Sequence, residues 1–246
     1  MKRTLFLFSA TLLLCAGCVK KPAEPASTPS TPTVAATPAA PSTVAASSAT
    51  PGALTALYGL DSSSLGELPA GVGKTADQKG RPESALSFSG ESTKLELPWD
   101  INVEKHPQVT ITAWARFMGS LEDKAQFQVV SSDDGDFDRS LGIDGRAGEW
   151  GWSAFAGQGG VIGGLPVKSG EWVFLAVTYD QTGDASQLTV GEATVPAKQG
   201  QLGKGHPFVW IGGNPSFGEH FVGDIAHVQV FDRVLTPEEI ATVRDQ

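Results

Sequence analysis

Residues 109 to 117 run Val-Thr-Ile-Thr-Ala-Trp-Ala-Arg-Phe, with apolar side chains at every odd position. A period of two is the signature of a β-strand with one buried face, and it cannot be satisfied by a helix. Residues 171 to 179, Glu-Trp-Val-Phe-Leu-Ala-Val-Thr-Tyr, are apolar on both alternating faces, which predicts a strand covered on both sides. Further strands are predicted at 85–88, 94–97, 127–131, 140–144, 151–155, 187–190, 209–211 and 225–231, with a weaker edge strand at 54–60. Gly, Asp, Asn and Pro separate most of them and supply turns. One helix is predicted at the end of the chain. Thr236-Pro237-Glu238-Glu239 is a capping box with Pro at the first helical position, and Leu235 and Ile240 sit where a hydrophobic staple needs them. The pattern is that of an all-β, two-sheet antiparallel sandwich with one short C-terminal helix, and residues 54 to 246 suffice for one such core.

The first residues are of another kind. Lys2 and Arg3 precede an apolar run from Leu5 to Leu14, too short to span a hydrocarbon core of ~30 Å. That is the order of a secretory signal peptide, read here as residues 1–17. Leu14-Cys15-Ala16-Gly17-Cys18 resembles the bacterial lipobox, which implies cleavage before Cys18 and its acylation. The chain has 2 Cys, both in this segment, so the exported domain is expected to fold without a disulfide. Val19 after the acylated Cys resembles outer-membrane sorting where the cell has two membranes. Residues 18–53 form the next unit. From 22 onward they are almost wholly Pro, Ala, Ser, Thr and Val, with Glu24 the single charge. Such a composition cannot bury enough surface to offset its ordering entropy. It is read as a disordered, semi-stiff spacer spanning roughly 35 Å as a coil and roughly 100 Å at full extension. The expected location is the cell envelope, extracytoplasmic and lipid-anchored. The formal net charge of −9 disfavours nucleic acid as a partner.

Five segments in order carry a family resemblance: residues 85–90 followed by 94–98, 110–114, 171–180, 211–213, and the closing run from Phe221 through Ile240. Together they resemble laminin-G-like, concanavalin A-like jelly-roll domains over roughly residues 84 to 244. The resemblance implies two packed antiparallel sheets and a non-catalytic binding domain, with carbohydrate or cell-wall glycan as the leading ligand class. A structural or protein-interaction module of the envelope and a polysaccharide-active enzyme are the alternatives. Family members often carry an Asp after the Ile of the closing strand that helps hold calcium, but Ala226 stands there.

No Glu-x-Asp-x-x-Glu run, Gly-x-Ser-x-Gly elbow or His-Glu-x-x-His motif occurs, so no catalytic residues are assigned. His106, His206, His220 and His227 are scattered and are read as surface or loop residues. Two local features suggest ligands. Trp150 and Trp152 would share one strand face and could stack on a sugar ring. Asp133, Asp134, Asp136 and Asp138 crowd one turn, and three of them alternate like the first ligands of a Ca2+ loop; position 145 is Gly where an EF-hand has Glu. Gly157 to Gly164 is read as a flexible loop.

Overall fold

The computed structural model describes residues 54–122, 124–158 and 160–246; the leader, Cys18 and the spacer lie outside the described residues. The strands are β1 (Tyr58–Gly59), β2 (Val72–Thr75), β3 (Ala85–Ser89), β4 (Leu95–Leu97), β5 (Gln108–Phe117), β6 (Phe127–Ser131) and β7 (Ser140–Asp144). They continue as β8 (Gly151–Phe155), β9 (Val161–Leu165), β10 (Trp172–Asp180), β11 (Ala185–Val190), β12 (Ala193–Lys198), β13 (Val209–Ile211) and β14 (Val222–Phe231), before helix α1 (Pro237–Asp245). The larger sheet has the order β12-β11-β10-β5-β14-β3-β2, with β1 also paired to β14. The smaller sheet has the order β4-β13-β6-β7-β8-β9. The protein is an all-β, two-sheet antiparallel sandwich with one C-terminal helix.

The alternation in β5 does what its period demands. Val109, Ile111, Ala113, Ala115 and Phe117 face the core between the sheets. β10 lies beside it, from Trp172 opposite Arg116 to Asp180 opposite Gln108. Its double apolarity has two causes. Leu175, Val177 and Tyr179 enter the core between the sheets. Phe174 and Ala176 face the other way and are covered by Leu235, which precedes α1, and by Ile240 and Val243 of α1. Trp114 packs on that outer face against Phe174, ring centroids 5.7 Å apart, rather than between the sheets. Trp172, also half-buried, lies under the Arg116 guanidinium. The capping box forms as its residues require: Glu239 N–H donates to Thr236 Oγ1 at 3.3 Å, and Thr236 N–H to Glu239 Oε2 at 2.9 Å.

Three strands escape the sequence pattern: β2, β9 and β12. β9 occupies much of the stretch read as a flexible loop. A β-carbon on Gly163 would fall 2.4 Å from the Trp152 carbonyl oxygen, so glycine is what lets β9 approach β8.

The sheets are also joined by a polar contact. Tyr179 Oη donates to the Ser140 carbonyl at 3.0 Å and accepts from the Ser140 N–H at 3.1 Å, linking β10 to β7 through the buried core. Burial pushes the phenol further up, so it stays a donor at every ordinary pH. Tyr179→Phe strands both groups of Ser140 and is expected to cost about 1–3 kcal/mol of unfolding free energy, with an unchanged denaturant slope in urea titrations.

Candidate functional site

The two sheets differ on their outer faces. The larger carries α1. The smaller turns inward with Leu141, Ile143, Trp152 and Ala154. Register then places Ser131, Ser140, Gly142, Asp144, Gly151 and Ser153 on its outer face. These small side chains leave room for loops, which bury them.

Two loops meet above this face, and one buried carboxylate joins them. Asp133 Oδ1 accepts from the backbone N–H groups of Gly135 at 3.2 Å and Asp138 at 3.1 Å, which winds up the turn after β6. Its Oδ2 accepts from Asn214 Nδ2 at 3.0 Å, and its carbonyl accepts from Ser216 Oγ at 3.0 Å. Asn214 opens a five-residue loop, Asn214-Pro215-Ser216-Phe217-Gly218, closed by paired backbone bonds between Asn214 and Gly218 of 2.6 and 2.8 Å. The same Asn214 amide donates to Glu219 Oε2 at 3.0 Å, and Gln128 Nε2 donates to that oxygen at 3.1 Å. Burial raises the Glu219 carboxyl, opposed by these two hydrogen bonds and by Arg146.

A third loop, between β7 and β8, brings Arg146. Its Nε donates to both Asp144 oxygens at 3.0 and 2.9 Å, its Nη2 also bonds Asp144 Oδ2, and Glu219 Oε1 lies 3.7 Å from Nη2. The bond to Asp144 holds this guanidinium more firmly charged than usual. It sits 5.1 Å from the Phe137 ring and 5.2 Å from the Phe155 ring. Asp133, Gly135, Phe137, Arg146, Phe155 and Phe217 line a cavity of about 60 Å3. Phe217 stands at its rim with 64% of its surface exposed, which makes it the most exposed large hydrophobic side chain among the described residues.

The geometry offers an aromatic rim and a guanidinium over a small hollow. The carboxylates beneath it are engaged: Asp133 accepts three N–H bonds, Asp144 binds the Arg146 fork, and Glu219 accepts two amides. None is left as a free acid–base pair facing solvent.

The sequence-predicted site residues are distributed otherwise. Trp152 is 1% exposed and packs in the core, 6.5 Å from the Phe221 ring centroid. β8 begins at Gly151, whose partner Asp144 faces outward, so the next residue must point inward opposite Ile143. Trp150 precedes the strand and lies over Gly145, where a β-carbon would fall 2.4 Å from the indole. The pair therefore forms no shared stacking face. The four aspartates divide as well: Asp133 and Asp138 are buried, whereas Asp134 and Asp136 point out of the turn. Among the described residues, no group of three His, Cys, Asp or Glu side chains is placed to hold a metal ion. Phe217, Arg146, Asn214 and Glu219 were not singled out from sequence. The one signal was a lone aromatic at the tip of a polar Asn-Pro-Ser-Phe-Gly turn.

Comparison with known proteins bears on the frame. The Laminin_G_3 family model, described as the concanavalin A-like lectin/glucanases superfamily, matches residues 89–241. The chain belongs to this superfamily. Comparison with curated proteins gives no match. Among solved structures, a mutant of HCR/D is similar with a TM-score of 0.59 at 12% identity, covering 77% of this chain and 52% of that one. The botulinum neurotoxin type G receptor binding domain gives a TM-score of 0.51 at 12% identity, covering 73% and 46%. The CBM40 of Ruminococcus gnavus IT-sialidase, bound to α2,3 sialyllactose, gives 0.46 at 20% identity, covering 65% and 96%. The chain spans about half the length of the first two, and these likenesses are likenesses of fold.

The closing strand carries the fully buried Ala226, so it presents no carboxylate at that position. One carboxyl near the cleft is unusual. Asp138 is 2% exposed; its Oδ2 accepts from the Asp134 N–H at 3.1 Å and its Oδ1 has no partner. Burial, with Asp134 beside it, pushes its pKa from 3.8 up to about 7. The folded chain therefore keeps a proton that the unfolded chain sheds. This stability is fully present below a pH of about 4 and is lost as pH rises through about 7. Asp138→Asn is expected to be near neutral below about pH 4 and to raise stability by ~1 kcal/mol or more at about pH 8, read from melting curves across that range.

Proposed function

We propose that this chain is a lipid-anchored, extracytoplasmic protein that displays a non-catalytic glycan-binding domain, with Phe217 as its stacking platform. The exposed Phe217 ring carries the reading. A solvent-facing aromatic at the rim of a hollow lined by Phe137, Phe155 and Arg146 offers the apolar face that a sugar ring stacks on, and the guanidinium supplies donors for hydroxyl or acidic groups. A hollow of about 60 Å3 is too small for a whole sugar ring and suits a single ring substituent. The engaged carboxylates favour binding over acid–base hydrolysis, which needs two carboxyl groups free to exchange protons across a scissile bond. Membership of a superfamily described by lectins and glucanases agrees with a carbohydrate ligand.

The anchor half of the proposal rests on Lys2, Arg3, the apolar run and Cys18. A lipid on Cys18 with the Pro-rich spacer behind it would hold the domain clear of the membrane. Cys18→Ala is expected to abolish incorporation of a labelled fatty acid and to move the protein from the membrane fraction to the soluble one; unchanged labelling would end the lipoprotein reading.

For the ligand, the full chain is screened against a panel of glycans and cell-wall fragments. The expected result is binding that Phe217→Ala weakens about 10-fold or more without lowering the melting temperature. No binding across the panel would remove the glycan reading and favour a protein partner in the envelope; glycan binding indifferent to Phe217 would remove Phe217 as the platform.

A further inference from the structure

The hollow beside Phe217 has walls specific enough to select what enters it. Asp133, Gly135, Phe137, Arg146, Phe155 and Phe217 enclose about 60 Å3. A cavity of ~150 Å3 accepts one benzene ring, so this one accepts roughly two or three heavy atoms. A hydroxyl or a deoxy methyl underfills it. A carboxylate, a hydroxymethyl and an acetyl group all match it in size.

The chemistry of the walls separates these groups. Phenylalanine rings make up half of the lining. Phe155 is 3% exposed and meets Phe137 with ring centroids 5.3 Å apart, inclined at 59°. Phe137 has a φ of 59°, a conformation that bulky side chains seldom hold, and the Gly157 N–H fixes it there by donating to its carbonyl at 2.9 Å. Gly135 keeps the gap beneath Phe217 open, since a β-carbon there would stand 4.0 Å from Phe217 Cζ.

The polar walls are Asp133 and Arg146. Both Asp133 oxygens already accept N–H groups of the protein. Arg146 binds Asp144 through Nε and Nη2, and its Nη1 makes no hydrogen bond among the described residues. Asp144, Glu219 and Asp133 all act on this one guanidinium. An incoming carboxylate would therefore meet like charge. A hydroxymethyl brings a hydroxyl proton that needs an acceptor, where the Asp133 oxygens are engaged. An acetyl group divides as the walls do: a methyl for the rings, and an acceptor-only carbonyl oxygen for the guanidinium.

The geometry points to an N-acetylated amino sugar as the ligand class of this site, with its ring on Phe217, its acetyl methyl between Phe137 and Phe155, and its acetyl oxygen on Arg146. This inference rests on the Phe217 reading above and narrows it.

The full chain is titrated by calorimetry with trisaccharides of N-acetylglucosamine and N-acetylgalactosamine, with their glucose and galactose counterparts, and with the two matching uronates. The deciding variant is Phe137→Gly. Glycine takes a φ of 59° without strain and so preserves the turn, whereas removing Arg146 would strand the buried Asp144. The expected result is at least about 10-fold tighter binding of an acetamido trisaccharide than of its hydroxyl counterpart. Phe137→Gly is expected to abolish that preference with little change in melting temperature. Equal binding of acetamido and hydroxyl forms, tighter binding of a uronate, or a preference that survives Phe137→Gly overturns the inference and leaves the glycan reading standing. Silence of all these trisaccharides overturns it as well, and only silence across the wider glycan panel removes the glycan reading with it.

Discussion

The candidate site depends on one buried carboxylate. Asp133 accepts from two backbone amides of its own turn and from the Asn214 side chain of a loop more than eighty positions away in sequence. Hydrogen bonds to a charged group each contribute roughly 1.5–3 kcal/mol, enough to offset the ordering of a few loop residues at about 1–2 kcal/mol each. Within the loop the Asn214–Gly218 backbone pair and the Ser216 N–H bond to Asn214 Oδ1 close the turn, and the Asp133 carboxylate ties it to the neighbouring loop, while Phe217 at its tip stays 64% exposed. An exposed aromatic fixed in place has already lost the freedom that a ligand would otherwise have to remove.

The same bonds tie up acidic side chains around the cleft. Asp133 accepts three N–H groups, and Asp144 holds the Arg146 fork. Glu219, raised by burial, is held by Asn214 and Gln128. The smaller sheet thus uses its acidic residues as scaffold and offers aromatic surface outward. The larger sheet carries α1 on its outer face, with hollows along the flanks of the helix.

The frame was legible in the sequence wherever burial is one-sided. β5 could be read because its odd positions are apolar, and β10 because both faces are covered. The helix could be read from four residues, because a capping box is a local device needing no tertiary partner. The site was not legible for the same physical reason that the strands were. A period of two sorts side chains by parity without saying which parity is buried; β8 spans the residues expected of it but turns Trp152 into the core opposite Ile143. The aspartates alternate in sequence, but a turn wound around the Asp133 carboxylate places Asp138 inside and Asp134 and Asp136 outside. Phe217 has no periodic neighbours, and nothing short of the fold brings it beside Arg146, which lies on a different hairpin. β9 was hidden by glycines that its contact with β8 requires.

The most direct test of Asp133 as the organising group is amide hydrogen exchange in Asp133→Ala. Exchange at Gly135, Asp138, Ser216 and Gly218 is expected to accelerate at least about 10-fold, while Leu175 to Tyr179 in the larger sheet keep their protection. Unchanged protection at Ser216 and Gly218 would contradict the account, because the Phe217 loop would then be held without the carboxylate. Loss of protection across both sheets would contradict it as well, by making Asp133 a support of the whole fold rather than of the cleft.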